Sequence, residues 1–304
     1  MEMAMKFRRF GRTELQVSEI SLGGAYISGT LSNQLDPDAR CENAIALVER
    51  ALELGVNYID TAPLYGDSES LVGSALSAVG KKMHIATKVG FDPEGFDYRA
   101  DSVLRSVERS LQRLDVNRLT TVQIHEVNLA GWERITENGG TLDGLRAAQK
   151  EGLCTFVGIT GRAIPLLVQL ADTGEFDTVL VYHDYHPMSN LAAEKLIPAA
   201  KRSNMGIIIA TILAGGLFGH AERSENALAE LSADKSAMAK RVLGMLHEQS
   251  GTLPQHAFRW VLGDERVSTA CSGACSIGEL EEVVQAISMG PVPENLVRKM
   301  SNDG

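Results

Sequence analysis

Four residues in the first half of the chain have the types and spacing to do chemistry together. Asp60 closes the run VNYID, Tyr65 follows in IDTAPLYGDSE, Lys88 stands in IATKVG and His125 in VQIHEV. A tyrosine ordinarily ionises near ~10, too high for a phenol to give and take a proton readily at neutral pH. A neighbouring ammonium favours the phenolate, and a carboxylate can hold that ammonium in place. Asp60 and Lys88 can form such a pair with Lys88 facing Tyr65, while His125 can hydrogen-bond the substrate oxygen or share its proton. The set reads as a proton relay aimed at one oxygen atom, as hydride transfer to a carbonyl or from a carbinol requires. Taken singly, each residue has a structural explanation: a helix-capping Asp, a snorkelling Lys, a satisfied His. Their placement at the ends of three consecutive strand-like runs argues for a shared site.

Those runs belong to a longer alternation. Apolar strand-like segments occur at 19–24, 56–60, 84–90, 119–125, 155–160, 178–185, 206–211 and 267–273. Amphipathic helical patterns lie between them, at 43–54, 101–114, 141–150, 164–173, 192–203 and 278–287. In the second of these, Val103, Leu104, Val107, Leu111 and Leu114 repeat at three or four residues with charges opposite. Continuous apolar strands separated by such helices imply a parallel sheet buried on both faces. Eight βα units predict an α/β (β/α)8 TIM barrel, with the site at the C-terminal rim of the strands. An open doubly wound sheet is the competing architecture, but no Gly-rich turn follows the first strand. The opening MKFRRFGRTELQVS reads as a β-hairpin turning at Gly11–Thr13, and 212–235 as a long irregular loop over the barrel mouth.

Composition narrows the partners. The 304 residues are 44% hydrophobic, carry a net charge of −10 and include no low-complexity linker, so one domain spanning 1–304 is expected. The negative charge disfavours nucleic acid and anionic membranes. No apolar run reaches the ~18 to 20 residues of a membrane span, and none resembles a signal peptide. Cys41, Cys154, Cys271 and Cys275 form neither a zinc pattern nor a disulfide framework. A cytoplasmic enzyme, monomeric or a small homo-oligomer, with reduced thiols is the expectation.

The residues Asp60, Tyr65, Lys88 and His125, with FGRTELQVSEISLGG near the start and FVGIT in the fifth strand, resemble the aldo-keto reductase superfamily over nearly the whole chain. The stretches EGFDYRADSVLRSVERSLQRL, FVGITG and VLVYHDYHPMSN resemble its sugar-oxidising branch, the L-galactose dehydrogenase-like and aldose 1-dehydrogenase enzymes. This resemblance implies Tyr65 as general acid/base and a nicotinamide cofactor bound across the rim without a Rossmann domain. It places Thr160 and Gly161, where many members have Ser-Asn, at the nicotinamide. Thr211, Leu213, Gly215 and Gly216 fall at the pyrophosphate, and Gly273, Ser276, Glu279 and Glu282 at the adenosine. No Lys or Arg occurs between Arg266 and Arg298, so a 2′-phosphate lacks a cation there and NAD is favoured over NADP.

The substrate is expected among the loops of Tyr26, 91–96, Trp132 and 182–186, with Tyr26, Trp132 and Tyr185 as contacts. The hydrogen-bonding side chains of 182–186 suit a sugar, and His183 and His186 lack a third ligand for a metal. Oxidation of an aldose such as an L-galactose- or L-fucose-like sugar to its lactone is the leading reading. An NADPH-dependent aldehyde or ketone reductase, a Schiff-base role for Lys88 and a nucleotide-binding redox-sensing regulatory subunit are the alternatives.

Overall fold

A computed structural model describes residues 5–27, 36–92 and 95–302. The strands are β1 (Phe7–Arg9), β2 (Gln16–Ser18), β3 (Ile20–Gly23), β4 (Tyr58–Asp60), β5 (His84–Val89), β6 (Phe91–Asp92), β7 (Gly95–Phe96), β8 (Leu119–Ile124), β9 (Cys154–Gly161), β10 (Thr178–Tyr182), β11 (Gly206–Ala210) and β12 (Thr269–Ser272). Strands β3, β4, β5, β8, β9, β10, β11 and β12 pair in parallel in that order, and β12 returns to β3 to close a barrel. These are the eight runs expected from sequence. The α/β (β/α)8 TIM barrel is therefore the fold, as the sequence predicted.

Helices surround it: α1 (Pro37–Glu53), α2 (Ser68–Val79), α3 (Ala100–Leu114), α4 (Val127–Thr136), α5 (Thr141–Lys150), α6 (Ile164–Asp172), α7 (Leu191–Glu194), α8 (Leu196–Arg202), α9 (Ala221–Ala229), α10 (Ala233–His247), α11 (Leu253–Leu262), α12 (Ile277–Gln285) and α13 (Glu294–Asn302). Local chemistry marks several boundaries. Asp36 caps α1 by accepting from the Ala39 amide at 2.9 Å, ahead of Pro37. Thr252 and Gln255 cap α11 reciprocally. The 212–235 stretch is not the irregular loop expected. It holds a turn of 3₁₀ helix at Ala214–Gly216, then α9 and the start of α10. Helix α9 buries little besides Ser224, so no apolar stripe marks it in the sequence.

Side chains alternate along each strand between barrel interior and helix layer. Ile59, Ile85, Val122 and Ile124 join the large outer core, whereas Tyr58 and Ala86 point inward with Leu180, Ile208 and Cys271. The β1–β2 hairpin closes the N-terminal end of the barrel. Its Phe10 packs edge-on to Tyr58, ring centroids 5.2 Å apart. Gly11 has φ 57° and sits so close to β11 that a Cβ would lie 2.3 Å from the Gly206 nitrogen. Only glycine fits that approach. No helix among the described residues is long and apolar enough to cross a membrane.

Candidate active site

The period-two alternation that turns Tyr58 inward also turns Asp60 inward at the end of β4, and it does the same for Lys88 on β5. The pairing register sets Lys88 level with Gln123 on β8, and His125 follows just beyond that strand. Tyr65 is carried on the turn between β4 and α2, where its amide donates to Ala62 O at 3.0 Å. The turn is tied down by Ser68, whose hydroxyl donates to Gly24 O at 2.9 Å and meets Thr61 Oγ1 at 2.7 Å. These four positions thus converge for ordinary reasons of strand register and turn closure.

Asp60 and Lys88 are 4% and 2% exposed, and Lys88 Nζ ion-pairs with Asp60 Oδ1 and donates to Thr61 O at 2.9 Å. Nζ also lies 4.7 Å from the centroid of the Tyr65 ring. The second carboxylate oxygen of Asp60 accepts from Gln123 Nε2 at 2.6 Å. Gln123 is wholly buried. It was not among the residues expected from sequence, although a glutamine within an otherwise apolar run, two positions before His125, is a signal of an inward polar contact. His125 stands edge-on to Tyr65 with ring centroids 5.7 Å apart. Its carbonyl accepts from the Tyr98 phenol at 2.6 Å, and its buried Nδ1 has no hydrogen-bond partner among the described residues.

Electrostatics assign protonation states. Burial, reinforced by the Lys88 charge, lowers the His125 pKa to about 3, so the imidazole is neutral over the working range. Burial alone would lower Lys88, but Asp60 and Tyr65 outweigh it and hold the ammonium charged. For Tyr65, burial raises the pKa first, Lys88 pulls it down and Asp60 pushes it up, with a net rise. The expectation of a lowered phenol pKa is thereby corrected: burial outweighs the ammonium, and the phenol keeps its proton at neutral pH.

These groups open into a cavity of about 680 Å³. Beside the relay it is lined by Glu126, Thr160, Tyr182 and His183. A second set of lining residues comes from the segment after β11 (Thr211, Leu213, Gly215, Gly216, His220 and Arg223) and from Gly273, Glu279 and Glu282 around the start of α12. Two ion pairs join these elements: Arg223 Nη1 to Glu279 Oε1 at 3.2 Å and His220 Nε2 to Glu282 Oε2 at 3.0 Å. Arg223 went unread because α9 did. Tyr26 also lines the cavity, but its ring lies against Gly273, where a Cβ would come within 2.7 Å of it.

Four of the expected contacts do not line the cavity. Gly161 is turned beneath the start of α4, where a Cβ would meet Val127. Ser276 is occupied as the cap of α12, accepting from the Glu279 amide at 3.3 Å. Trp132 packs from α4 against the core, and Tyr185 is buried with its phenol on Asp264 Oδ2 at 3.1 Å. Of the expected loop 91–96, residues 93–94 lie outside the described residues, while β6 and β7 form a two-stranded ribbon. His186 is buried and its Nδ1 accepts from the Met188 amide at 3.2 Å. No disulfide joins the four cysteines.

A phenol, an ammonium held by a carboxylate and a neutral imidazole, gathered at the strand ends of a closed barrel, are the equipment of an oxidoreductase that interconverts carbonyl and carbinol groups. The family described as "Aldo/keto reductase family" matches residues 19–301, and the chain belongs to it. Among relatives, L-galactose dehydrogenase of Arabidopsis thaliana is 27% identical over 292 residues, covering 93% of this chain and 88% of that one. D-arabinose 1-dehydrogenase of Saccharomyces cerevisiae is 34% identical over 188 residues, 57% of this chain and 54% of the relative. The holo form of aldo-keto reductase AKR11C1 from Bacillus halodurans shares the fold with a TM-score of 0.80 at 22% identity, over 97% and 96% of the two chains.

Proposed function

We propose that this enzyme oxidises the anomeric carbinol of an aldose to the lactone, with Tyr65 as the general acid/base and NAD as the cofactor. The observation that carries the reading is the convergence of Asp60, Lys88, Tyr65 and His125 on one wall of a cavity that Glu126, Tyr182 and His183 also line. Tyr65 takes the proton of the anomeric hydroxyl. Lys88 stabilises the phenolate that would result, and Asp60 and Gln123 hold Lys88 in place. Neutral His125 orients the same substrate oxygen.

The second set of lining residues suits a dinucleotide. Gly215 and Gly216 have φ 70° and 103°, and a side chain at Gly215 would project into open space, which leaves backbone available for a close approach. Thr160, Thr211, Leu213, Gly273, Glu279 and Glu282 would complete the contacts. The Thr160 hydroxyl is already engaged, donating to Ile124 O and accepting from the Glu126 amide, so it braces the segment after His125. When bound, a nicotinamide supplies the acceptor for the hydride of C1. The charge of Arg223 is spent on Glu279, and His220 faces Glu282. A 2′-phosphate therefore finds no unpaired cation in these two pairs, which favours NAD.

One observation supports a second reading, carbonyl reduction: the raised pKa of Tyr65 keeps it protonated, the state needed to donate to a forming alkoxide. A panel of L-galactose, L-fucose, D-arabinose and simple aldehydes, assayed in both directions with NAD(H) and NADP(H), separates the two. Efficient aldose oxidation with NAD supports the proposal. Activity confined to aldehyde reduction with NADPH overturns it.

A further inference from the structure

Beside the relay lies a second polar assembly that proton transfer does not use. Glu126, immediately after His125, lines the cavity, and its Oε1 accepts from the Tyr182 phenol at 2.6 Å. Its Oε2 has no hydrogen-bond partner among the described residues. Behind Tyr182, the Arg162 guanidinium lies 5.9 Å from the ring centroid and is gripped by buried Asp184 through contacts of 3.2 and 3.3 Å. Tyr182 is thus held from behind, and its phenol is aimed at Glu126.

The backbone is committed to the same end. Glu126 has φ 55° and ψ 68°, and His183 has φ 63°. Left-handed backbone is unfavourable for residues with a Cβ and collects at functional sites. Glu126 is kept there by its amide on Thr160 Oγ1 at 3.3 Å and by Tyr98, whose phenol spans the carbonyls of His125 and Glu126 at 2.6 and 3.4 Å. The same phenol therefore ties down the backbone of both His125 and Glu126.

We infer that Glu126 and Tyr182 form a hydroxyl-binding subsite that selects neutral polyhydroxy substrates over phosphorylated or carboxylated ones. A carboxylate with an unpartnered oxygen accepts hydroxyl protons. The Tyr182 oxygen, having given its own proton to Glu126, is left as a second acceptor. Two adjacent acceptors match two neighbouring hydroxyls of a sugar, whereas an anionic group meets the charge of Glu126. The inference rests on the aldose-oxidising reading and adds the residue that sets specificity.

Steady-state kinetics of wild type, Glu126→Gln and Glu126→Leu test it, with D-arabinose, D-arabinose 5-phosphate and L-galactose as oxidation substrates and 4-nitrobenzaldehyde as a hydroxyl-free reduction substrate. Glu126→Leu is expected to raise KM for the neutral aldoses about tenfold or more while kcat falls less than threefold, the split of a binding rather than a chemical role. Glu126→Gln is expected to narrow discrimination against the 5-phosphate about tenfold, because the repelling charge is gone. If 4-nitrobenzaldehyde turnover falls as far as aldose oxidation, the residue is structural and the inference fails. Unchanged KM and unchanged phosphate discrimination overturn it as well. Wild type active on 4-nitrobenzaldehyde but on no aldose overturns the aldose reading and the subsite together. Aldose oxidation equal in all three proteins overturns the subsite alone. Should the leucine variant not fold, the nearly isosteric glutamine variant decides.

Discussion

Replacing Gln123 by Leu tests how the relay is tuned. The leucine keeps most of the side-chain volume and removes the amide donor to Asp60 Oδ2, a 2.6 Å contact in a wholly buried position. A hydrogen bond to a charged group contributes about 1.5–3 kcal/mol, or about one to two pKa units at ~1.36 kcal/mol per unit. Asp60 would then hold its negative charge less dispersed, and Asp60 already pushes the Tyr65 pKa upward. Without that donor the carboxylate also leans harder on the Lys88 ammonium, weakening the cation that favours the phenolate. Both consequences raise the Tyr65 pKa. About half of the lost interaction reaching the phenol gives an upward shift of about 0.5–1 unit. Aldose oxidation needs the phenol as base, so its rate rises with pH toward that pKa. The alkaline midpoint of kcat should move up by the same amount, and turnover at fixed pH below it should fall about three- to tenfold. The assay is a kcat–pH profile from pH 6 to 11 for both proteins, with thermal melts to verify folding. An unshifted midpoint, with turnover lowered equally at every pH or not at all, would refute the tuning argument.

The other expectations follow from the same geometry. Removing one member of the buried Asp60–Lys88 pair strands a charge at a cost of about 3–5 kcal/mol. Lys88→Met should therefore lower stability by that order in urea unfolding, and Asp60→Asn/Lys88→Met should recover much of the stability without the activity; equal stability of the single variant and wild type would contradict this. His125 and His186 have pKa values lowered from 6.5 to about 3 and about 4, chiefly by burial. Each is neutral in the fold but protonates on unfolding below 6.5, so stability is full above that pH and is lost as pH falls. At pH 5 the loss is about 2 kcal/mol for each, and His186→Asn should flatten the decline in melting temperature between pH 6.5 and 5; an unchanged slope would sink this account. Glu279→Gln frees Arg223, so the ratio of Kd for NADP to Kd for NAD should fall at least fivefold by calorimetry. No change would show that Arg223 does not face the 2′ position.

Strand periodicity made the barrel legible, because parallel strands covered by helices on one side and by each other on the other must be apolar throughout. It also made Asp60, Lys88 and His125 conspicuous, since an ionisable residue ending such a run needs a reason. Gln123 escaped because an amide carries no charge and sits inside a run that otherwise reads as core. Arg223 and His220 escaped because α9 rests on the barrel mouth with little apolar surface to bury, so nothing in its spacing announced a helix. Tyr185 and Trp132 misled in the opposite sense. Aromatic and hydroxyl groups near a rim look like pocket walls, yet the chain after β10 turns Tyr185 toward Asp264 and α4 turns Trp132 toward the core. The Tyr65 pKa was misjudged because its desolvation depends on tertiary burial, which local sequence does not report.

The central claim is that Tyr65 moves the proton. Tyr65→Phe removes one hydroxyl and leaves the ring against Lys88 and His125. Turnover of the best aldose should fall about 10²–10⁴-fold, the usual contribution of a positioned acid/base, while Kd for NAD measured by fluorescence stays within about twofold. Turnover within threefold of wild type, with the cofactor bound equally well, would contradict the account.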